Sequence, residues 1–360
     1  MNRSLLLLLT ALAVTALAQS PPTPPPAPAA NAPATGPATD LTTTGPFDLA
    51  RPDIQAFIDE VVSRNGFTRD EVVGWLSQGV RQPRILEAIS RPAERVTPWW
   101  QYRANFLTDR RIDEGVQFWE QHRERLDRAE AETGVSAAHI VAIIGVETFY
   151  GRITGKWRVL DALMTLGFDY PPRQVFFRSE LEQFLLLARE ERLDPSTALG
   201  SYAGAMGAPQ FMPSSYRRFA VDGSEDARRD LFVDWNDVIA SVANYLRAHG
   251  WQAGKPVLAD ATSADPGVMA TLDPRNLELR ESIETLRRRG IEFDVPLAAD
   301  TPAILVPAEL EDRPNVRVGF NNFQVITRYN RSIRYAMAVH DLAESVAQRA
   351  FATEPVAAGS

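Results

Sequence analysis

A single carboxylate stands at the end of an apolar run in the middle of the chain. The run is HIVAIIGV, residues 139–146, and Glu147 follows it directly, ahead of Phe149, Tyr150 and Gly151. A run this apolar, closed by glycine, predicts a helix that is buried on nearly every side. Loss of hydration at the end of such a helix favours the protonated form of a carboxylate. Glu147 is therefore a candidate general acid, and a structural ion pair is the alternative.

Two further stretches carry residues that suit a sugar-binding cleft. Trp99, Trp100 and Tyr102 form an aromatic cluster, and such rings stack on sugars as well as fill a core. The stretch GSYAGAMGAPQFMPSSY, residues 200–216, is rich in glycine and alanine, which let a backbone approach a ligand or another helix closely. A sugar cleft and ordinary helix packing both remain open on these residues alone.

An acidic turn follows that stretch. Asp222, Ser224 and Asp226 occupy alternate positions, as do the first oxygen ligands of an EF-hand calcium loop. The match is partial, because Ala227 stands where glycine is needed and Val233 where glutamate is needed. The turn is a candidate site for structural calcium, and a solvated acidic turn is the alternative.

Composition excludes several other kinds of site. The chain has 360 residues, no cysteine and a formal net charge of −8. Disulfides and thiolate metal sites are excluded, and so is nucleic-acid binding by bulk electrostatics. The four histidines lie far apart in the chain and lack metal-ligand spacing. Apart from the candidate calcium, we expect that no cofactor is required.

The N-terminus has the pattern of an export signal. Arg3 precedes an apolar stretch that starts at Leu5, and Ala16-Leu17-Ala18 fits a small-residue cleavage site. The chain offers no cysteine for lipid attachment. We therefore expect a periplasmic protein with a cleaved signal peptide and no lipid anchor.

The hydrophobic pattern predicts an α+β fold that is predominantly α-helical. Thr68 and Glu71 predict a capping box, and Tyr335, Val339 and Leu342 line one face of a C-terminal helix. The predicted organisation is a signal peptide (1–18), a Pro/Ala-rich linker (19–46), an N-terminal helical region (47–97), a catalytic core (98–250), a small mixed module with short strands (251–320) and a C-terminal segment that returns to the core (321–350).

Five motifs resemble, in order, those of the membrane-bound lytic transglycosylase B family of murein-cleaving enzymes. They are IIGVETFYG (143–151), LDALMTLGFDYP (160–171), GSYAGAMGAPQFMPSSY (200–216), SVANYLRAHGW (241–251) and FNNFQVITRYN (320–330). The resemblance covers residues 95–345 and implies a lysozyme-like catalytic core with small accessory regions. It also implies a substrate, the glycan strands of peptidoglycan. The implied reaction cleaves the β-1,4 bond between N-acetylmuramic acid and N-acetylglucosamine without water and leaves 1,6-anhydromuramoyl ends.

The resemblance also assigns residues. Glu147 would act first as acid and then as base, and the glycan contacts would be Tyr102, Arg173, Ser201, Gln210, Tyr245, Tyr329 and Asn330. Two departures are expected to alter substrate preference, because Pro172 replaces the first of two arginines and Phe176 replaces a tyrosine found in some relatives. Some relatives hold calcium in the acidic turn.

Two other functions remain open at this point. A muramidase that uses water would need a second carboxylate near Glu147, and Asp161 and Asp169 are the nearest in sequence. A non-catalytic scaffold could use the Pro/Ala-rich segment to reach the wall or cell-wall synthesis proteins. Such a scaffold would not need Glu147 together with the full set of sugar contacts.

Overall fold

The computed structural model describes residues 42–90, 97–265 and 267–353. The predicted signal peptide and most of the predicted linker lie outside the described residues. The helices are α1 Pro52–Asn65, α2 Arg69–Leu76, α3 Pro83–Ser90, α4 Trp99–Ala104, α5 Asp109–Gln121, α6 Arg123–Thr133, α7 Ala137–Thr148, α8 Val159–Asp169, α9 Gln174–Glu191, α10 Pro213–Phe219, α11 Trp235–Ala248, α12 Ile283–Arg288, α13 Asn321–Tyr329 and α14 Ile333–Thr353.

The strands are short, and those that pair do so in antiparallel fashion. They are β1 Gly45–Pro46, β2 Val80–Arg81, β3 Trp157–Arg158, β4 Leu199–Gly200, β5 Leu258–Ser263, β6 Glu281–Ser282, β7 Ile291–Glu292, β8 Pro302–Pro307 and β9 Val316–Gly319. Strand β1 pairs with β2, so the described fold includes two residues that the sequence assigned to the linker. A two-residue pairing is made by backbone groups and leaves no apolar pattern to detect.

Helix α7 lies at the centre of the helical part. Its residues from Ala137 to Gly145 are all buried, as the apolar run predicts. It packs against α5, α6, α11 and α14. The helix begins after Ser136, whose side chain accepts a hydrogen bond from the backbone N–H of His139. Because neighbours surround α7, the position of its last turn is fixed by packing rather than by local propensity.

The N-terminal helices are attached to the core through α8. Helix α3 packs on α8, and the guanidinium groups of Arg51 and Arg81 lie 2.7 and 2.8 Å from the carboxylate of Asp169. Helix α2 starts with the predicted capping box, in which the side chains of Thr68 and Glu71 each bond the other's backbone N–H.

The predicted mixed module contains a five-stranded antiparallel sheet in the order β6-β8-β9-β5-β7. Successive residues of β8 alternate between two hydrophobic clusters, as side chains of a strand must. Ala303 and Leu305 face the module's own core, with Ile283 of α12, whereas Ile304 and Val306 join the core of the helical part. Strand β8 is therefore buried on both of its faces.

No single helix in the described ranges is both long enough and apolar enough to cross a bilayer. Taken together, α6 and α7 meet the length and composition criteria, but they join at a bend of 116°.

Candidate active site

The chain turns sharply directly after Glu147. Phe149, Tyr150 and Gly151 have φ angles of 52°, 59° and 82°, so three consecutive residues adopt the left-handed conformation. Residues other than glycine rarely adopt this backbone conformation. It costs free energy, which favourable packing of the surrounding residues must offset. The turn ends α7 and leaves Glu147 in the last helical turn, half-buried.

Tyr150 folds back against α7 and holds this turn. A Cβ atom added to Gly145 would lie 2.7 Å from the Tyr150 ring, and one added to Gly115 would lie 2.5 Å from its hydroxyl. The hydroxyl donates to the carbonyl of Arg111 over 2.9 Å, and burial raises its pKa. The two glycines are thus required for the close approach of a ring to the helix that carries Glu147.

Tyr335 of α14 is the direct partner of Glu147. Its hydroxyl donates to Oε1 of Glu147 over 2.6 Å, and its side chain is almost fully buried. Burial, and then the nearby charge of Glu147, raise the pKa of Tyr335 well above its ordinary value. Tyr335 therefore remains a hydrogen-bond donor at any physiological pH. The sequence analysis missed this role, because a tyrosine on an apolar helix face has the pattern of a core residue.

Two of the predicted sugar contacts, Tyr245 and Tyr329, form a wall beside this pair. Their ring centroids are 4.8 Å apart, and the Tyr329 ring stacks 6.4 Å from that of Tyr335. The Tyr329 hydroxyl donates to the carbonyl of Pro209, and the Tyr245 hydroxyl donates to the carbonyl of Arg328. Burial raises the pKa of Tyr245 to about 12, and the charge of Glu147 adds to this shift.

Tyr102 of α4, a third predicted contact, is also buried. Its ring lies 6.3 Å from Trp99 and 5.1 Å from Phe106. Tyr102 is also a minor electrostatic cause of the raised pKa of Tyr335. The aromatic cluster seen in the sequence is therefore largely core.

The stretch 200–212 is tied to the Glu147 turn. The hydroxyl of Thr148 donates to the carbonyl of Ala208 over 2.8 Å and accepts the backbone N–H of Gly151 over 3.0 Å. Just before β3, the backbone at Gly155 approaches β4 so closely that a Cβ there would lie 2.0 Å from the carbonyl oxygen of Gly200. This close approach explains why the stretch is rich in small residues.

Ser201 and Gln210 lie in this tied stretch. The Ser201 Oγ accepts the backbone N–H groups of Ala203 and Ala205 over 3.2 and 3.1 Å. The side-chain amide of Gln210 donates to the carbonyls of Thr154 and Gly207, each over 2.9 Å. Both side chains are half-buried and held in place by the backbone before any ligand binds.

Arg173 and Asn330, the other two predicted contacts, are exposed. The Arg173 guanidinium lies 4.4 Å from the ring centroid of Phe176 and 5.0 Å from that of Phe177. Phe176, one of the noted departures, is thus the surface on which Arg173 rests. Among the described contacts, none joins Arg173 or Asn330 directly to the Glu147 group.

Neither carboxylate that a water-using muramidase would need is available. Asp161 accepts the backbone N–H of Val80 over 2.8 Å and pairs with Arg158 over 2.7 Å. Asp169 is held by Arg51 and Arg81, and its side chain is 1% exposed. Both acids attach the N-terminal helices to α8.

The carboxylates of the acidic turn already bind backbone amides. Asp222 accepts the N–H groups of Asp226 and Ala227 over 3.1 and 2.7 Å. Asp237 of α11 accepts those of Gly223, Ser224 and Asp230 over 2.8, 3.1 and 2.6 Å. Within residues 42–90, 97–265 and 267–353, no group of three acidic, histidine or cysteine side chains is placed to hold a metal. Each carboxylate oxygen has two lone pairs, so these amide bonds leave acceptor capacity for a ligand.

A cavity of about 530 Å³ lies between α4 and the sheet, and Glu147 is not among its lining residues. Two of its acids are neutralised by arginines, since Asp341 pairs with Arg103 and Arg317, and Asp260 pairs with Arg317. These two acids are thus in structural pairs, and the candidate acid lies elsewhere.

Comparison with known proteins gives consistent results. Residues 50–344 match the family model described as the transglycosylase SLT domain. The chain is 43% identical over 305 residues to membrane-bound lytic murein transglycosylase B of Escherichia coli strain K12, covering 82% of this chain and 83% of that protein. Its structure is similar to that of catenated lytic transglycosylase SltB1 from Pseudomonas aeruginosa, with a TM-score of 0.80, 48% identity and coverage of 84% of this chain and 99% of that chain. It is also similar to Escherichia coli lytic transglycosylase Slt35 in complex with calcium, with a TM-score of 0.77, 41% identity and coverage of 87% and 98%.

Proposed function

The chain belongs to the transglycosylase SLT domain family and is a lytic murein transglycosylase, and we propose that Glu147 is its single catalytic carboxylate. The observation that carries this proposal is the 2.6 Å bond from Tyr335 to Glu147 at the end of a buried helix. It is supported by Asp161 and Asp169, the candidate second carboxylates, which are both held in structural ion pairs.

In the first step, Glu147 donates its proton to the oxygen that links N-acetylmuramic acid to N-acetylglucosamine. The bond from that oxygen to C1 of the muramoyl ring breaks, and positive charge develops at C1. The acetamido group of the same sugar can share this charge. Because Oε1 accepts the Tyr335 hydrogen bond, we assign the proton to Oε2.

In the second step, the ionised Glu147 removes the proton from the muramoyl O6 hydroxyl. O6 then forms a bond to C1, which closes the 1,6-anhydro ring and returns the proton to Glu147. The O6 hydroxyl belongs to the same sugar, so proximity replaces the activated water of a hydrolase. The Tyr335 hydroxyl stabilises Glu147 in its ionised form, because donated hydrogen bonds favour a charged carboxylate.

We propose that Ser201 and Gln210, the half-buried polar side chains beside the turn, bind the N-acetyl groups of the glycan. Ser201 accepts two backbone amides, so its own hydroxyl hydrogen is suited to an acetamido carbonyl. Gln210 uses its amide hydrogens on backbone carbonyls, so its Oε1 is suited to an acetamido N–H. Tyr102, Tyr245, Tyr329 and Asn330 would line the cleft, and Arg173 would pair with a lactyl or peptide carboxylate at the rim.

We further propose that the protein is exported to the periplasm by residues 1–18 and that residues 19–46 act as a spacer. Its substrate would be the glycan strands of peptidoglycan, and cell-wall synthesis proteins are proposed partners. Calcium binding in the Asp222–Asp226 turn would be weak, because Val233 stands where a calcium loop carries its bidentate glutamate.

The experiment is mass spectrometry of the products that the protein releases from purified murein. The wild type is expected to release products that are lighter by one water than hydrolytic fragments. Glu147→Gln is expected to lose activity by at least about 10³-fold. Glu182→Gln is the control, because this glutamate is also partly buried and accepts a hydrogen bond, from Asn65.

Three outcomes would contradict the proposal. Reducing-end products would indicate a hydrolase with a second carboxylate. Unchanged turnover by Glu147→Gln would remove Glu147 from the chemistry. Murein binding without any product from the wild type would indicate a scaffold.

A further inference from the structure

Three arginines surround one phenylalanine directly beside the catalytic turn. The guanidinium carbons of Arg110, Arg111 and Arg152 lie 5.3, 4.9 and 5.7 Å from the ring centroid of Phe149. Two of them come from the first turn of α5, and the third follows the left-handed turn after α7. A phenylalanine face attracts each cation, but the three cations repel one another, so the ring alone does not account for the cluster.

The cluster carries excess positive charge. Glu114 lies 3.0 Å from both Arg110 and Arg152 and supplies one negative charge against three positive ones. Arg111 donates to the carbonyl of Asn105, and its buried Nε has no hydrogen-bond partner among the described residues. The chain as a whole has a formal charge of −8, so this is a local reversal of sign.

The neighbouring acids do not cancel this charge, because each has another partner. Asp109 and Asp113 of α5 lie 3.0 and 2.6 Å from the guanidinium of Arg349 on α14. Two cations in the first turn of α5 also oppose the helix dipole, which favours negative charge there. Helix stability therefore does not explain why arginines occupy these positions.

A chain of contacts connects the cluster to Glu147. Arg111 lies over the ring of Phe106 as well as that of Phe149, at 5.1 Å. The ring of Phe106 lies 5.1 Å from that of Tyr102, one of the proposed sugar contacts. Phe149 itself stands two residues after Glu147, which accepts the hydrogen bond of Tyr335. The arginines therefore form an edge of the active site.

The two outer arginines are accessible to a ligand. The side chains of Arg110 and Arg152 are 72% and 54% exposed. Their planar groups can bind carboxylates through two parallel hydrogen bonds. In murein the lactyl group of a peptide-bearing muramoyl residue is an amide, so the glycan strand itself has no charge there. The only anions that the strand brings to the cleft are the carboxylates of its peptides.

Resting on the proposed murein substrate, we propose that Arg110, Arg111 and Arg152 form a site for the carboxylates of the peptide attached to a muramoyl residue beside the cleaved bond. The site holds the strand in register with Glu147 and makes cleavage sensitive to the presence of peptides. It is separate from Arg173, which rests on Phe176.

The test uses the double variant Arg110→Gln/Arg152→Gln, which removes the two exposed cations and leaves Arg111 in place. Turnover is measured on peptide-bearing strands and on strands from which an amidase has removed the peptides and whose freed lactyl carboxylates have then been converted to amides. On peptide-bearing strands kcat/KM is expected to fall about five- to tenfold, mainly through KM. On stripped strands the change is expected to be less than about twofold. The loss should shrink as salt is added, because exposed charges are screened.

Arg288→Gln is the matched control. Arg288 is also exposed on a helix and pairs with Glu284 four residues earlier over 3.0 Å, as Arg110 pairs with Glu114. It is expected to cleave both substrates like the wild type. An equal loss by the double variant on both substrates would mean that the arginines only brace the Phe149 turn. No loss on either substrate would equally overturn the site.

A binding measurement separates this proposal from the proposed reaction. Calorimetry with the Glu147→Gln variant compares a peptide-bearing disaccharide with the same disaccharide carrying a simple lactyl amide in place of the peptide. The preference for the peptide-bearing ligand should disappear when Arg110 and Arg152 are also replaced. If the preference is kept, the site is wrong whatever the chemistry. If the wild type fails to form anhydro products, the proposed reaction fails and the binding result still decides the site.

Discussion

The hydroxyl of Tyr335 lies 2.6 Å from Oε1 of Glu147, although 188 residues separate them in the chain. The two come together because α14 packs along α7 and α5. The acid and the group that orients it are thus on different helices, and the interface between α7 and α14 sets the geometry of the site.

Replacing Tyr335 with phenylalanine tests this relationship. The variant keeps the ring and removes the donor to Glu147, so kcat is expected to fall by about 10- to 100-fold with a smaller change in KM. The free energy of unfolding should fall by only about 1 kcal/mol. Steady-state kinetics and a denaturant titration measure the two effects. A large loss of stability with unchanged kcat would show that Tyr335 is only a core residue.

Replacing Gly145 with alanine tests the close packing of Tyr150 on α7. The new Cβ would lie 2.7 Å from the Tyr150 ring, so the ring and the turn after Glu147 must shift. We expect at least about a tenfold loss of kcat/KM and a loss of about 1–3 kcal/mol in the free energy of unfolding. Gly74→Ala is the control, because its Cβ has no neighbour within 4 Å and alanine favours the helix. Equal behaviour of the two variants would refute the packing argument.

His139, which is buried, and His340, which is half-buried, predict a loss of stability in acid. His139 and His340 lie 3.5 Å apart between α7 and α14, and burial lowers their pKa values to about 3 and about 4. In the unfolded chain both bind a proton near pH 6.5, so stability is full above that pH and is lost as the pH falls toward 4. His340 alone accounts for roughly 3 kcal/mol over that range. Thermal unfolding from pH 7 to pH 4 measures it.

The histidine prediction has an internal control. His340→Gln removes one titrating group and should flatten the fall of Tm between pH 6.5 and pH 4. A variant whose Tm follows the wild-type curve at every pH would show that carboxylates, not histidines, cause the acid sensitivity.

Calcium is expected to have little effect on stability, because Val233 stands where a calcium loop carries its bidentate glutamate. A ligand at 100 times its Kd would add about 2.7 kcal/mol to the free energy of unfolding. Thermal unfolding in 1 mM calcium and in chelator, with magnesium as the control, should therefore give the same Tm within about a degree. A calcium-specific rise of several degrees would show that the turn binds the ion without this glutamate.

The sequence predicted those features that depend on residues close together in the chain. The apolar run identified α7 and its terminal carboxylate, and Thr68 and Glu71 identified a helix start, since both signals lie within a few residues. The predicted α+β fold with a lysozyme-like core is confirmed by the similarity to SltB1 and by the family match. The glycan contacts remain predictions.

The rest depended on tertiary packing. Tyr335 has the spacing of a core residue, and only the docking of α14 on α7 makes it the partner of Glu147. Ala227 has a φ of 68°, so it adopts the left-handed conformation for which a calcium loop uses glycine at this position. Arg110 and Arg152 are 42 positions apart, and the shared ring of Phe149 is visible only once α5 lies beside the end of α7.

Helix α14 also orders events while the protein is made. A chain is synthesised and emerges from its N-terminus, so Glu147 and its whole helix exist before Tyr335 does. Until the final helix docks, the acid lacks its donor and α7 lacks one of the surfaces that bury it. A chain cut short before α14 would therefore carry the proposed catalytic glutamate without the hydroxyl that bonds it.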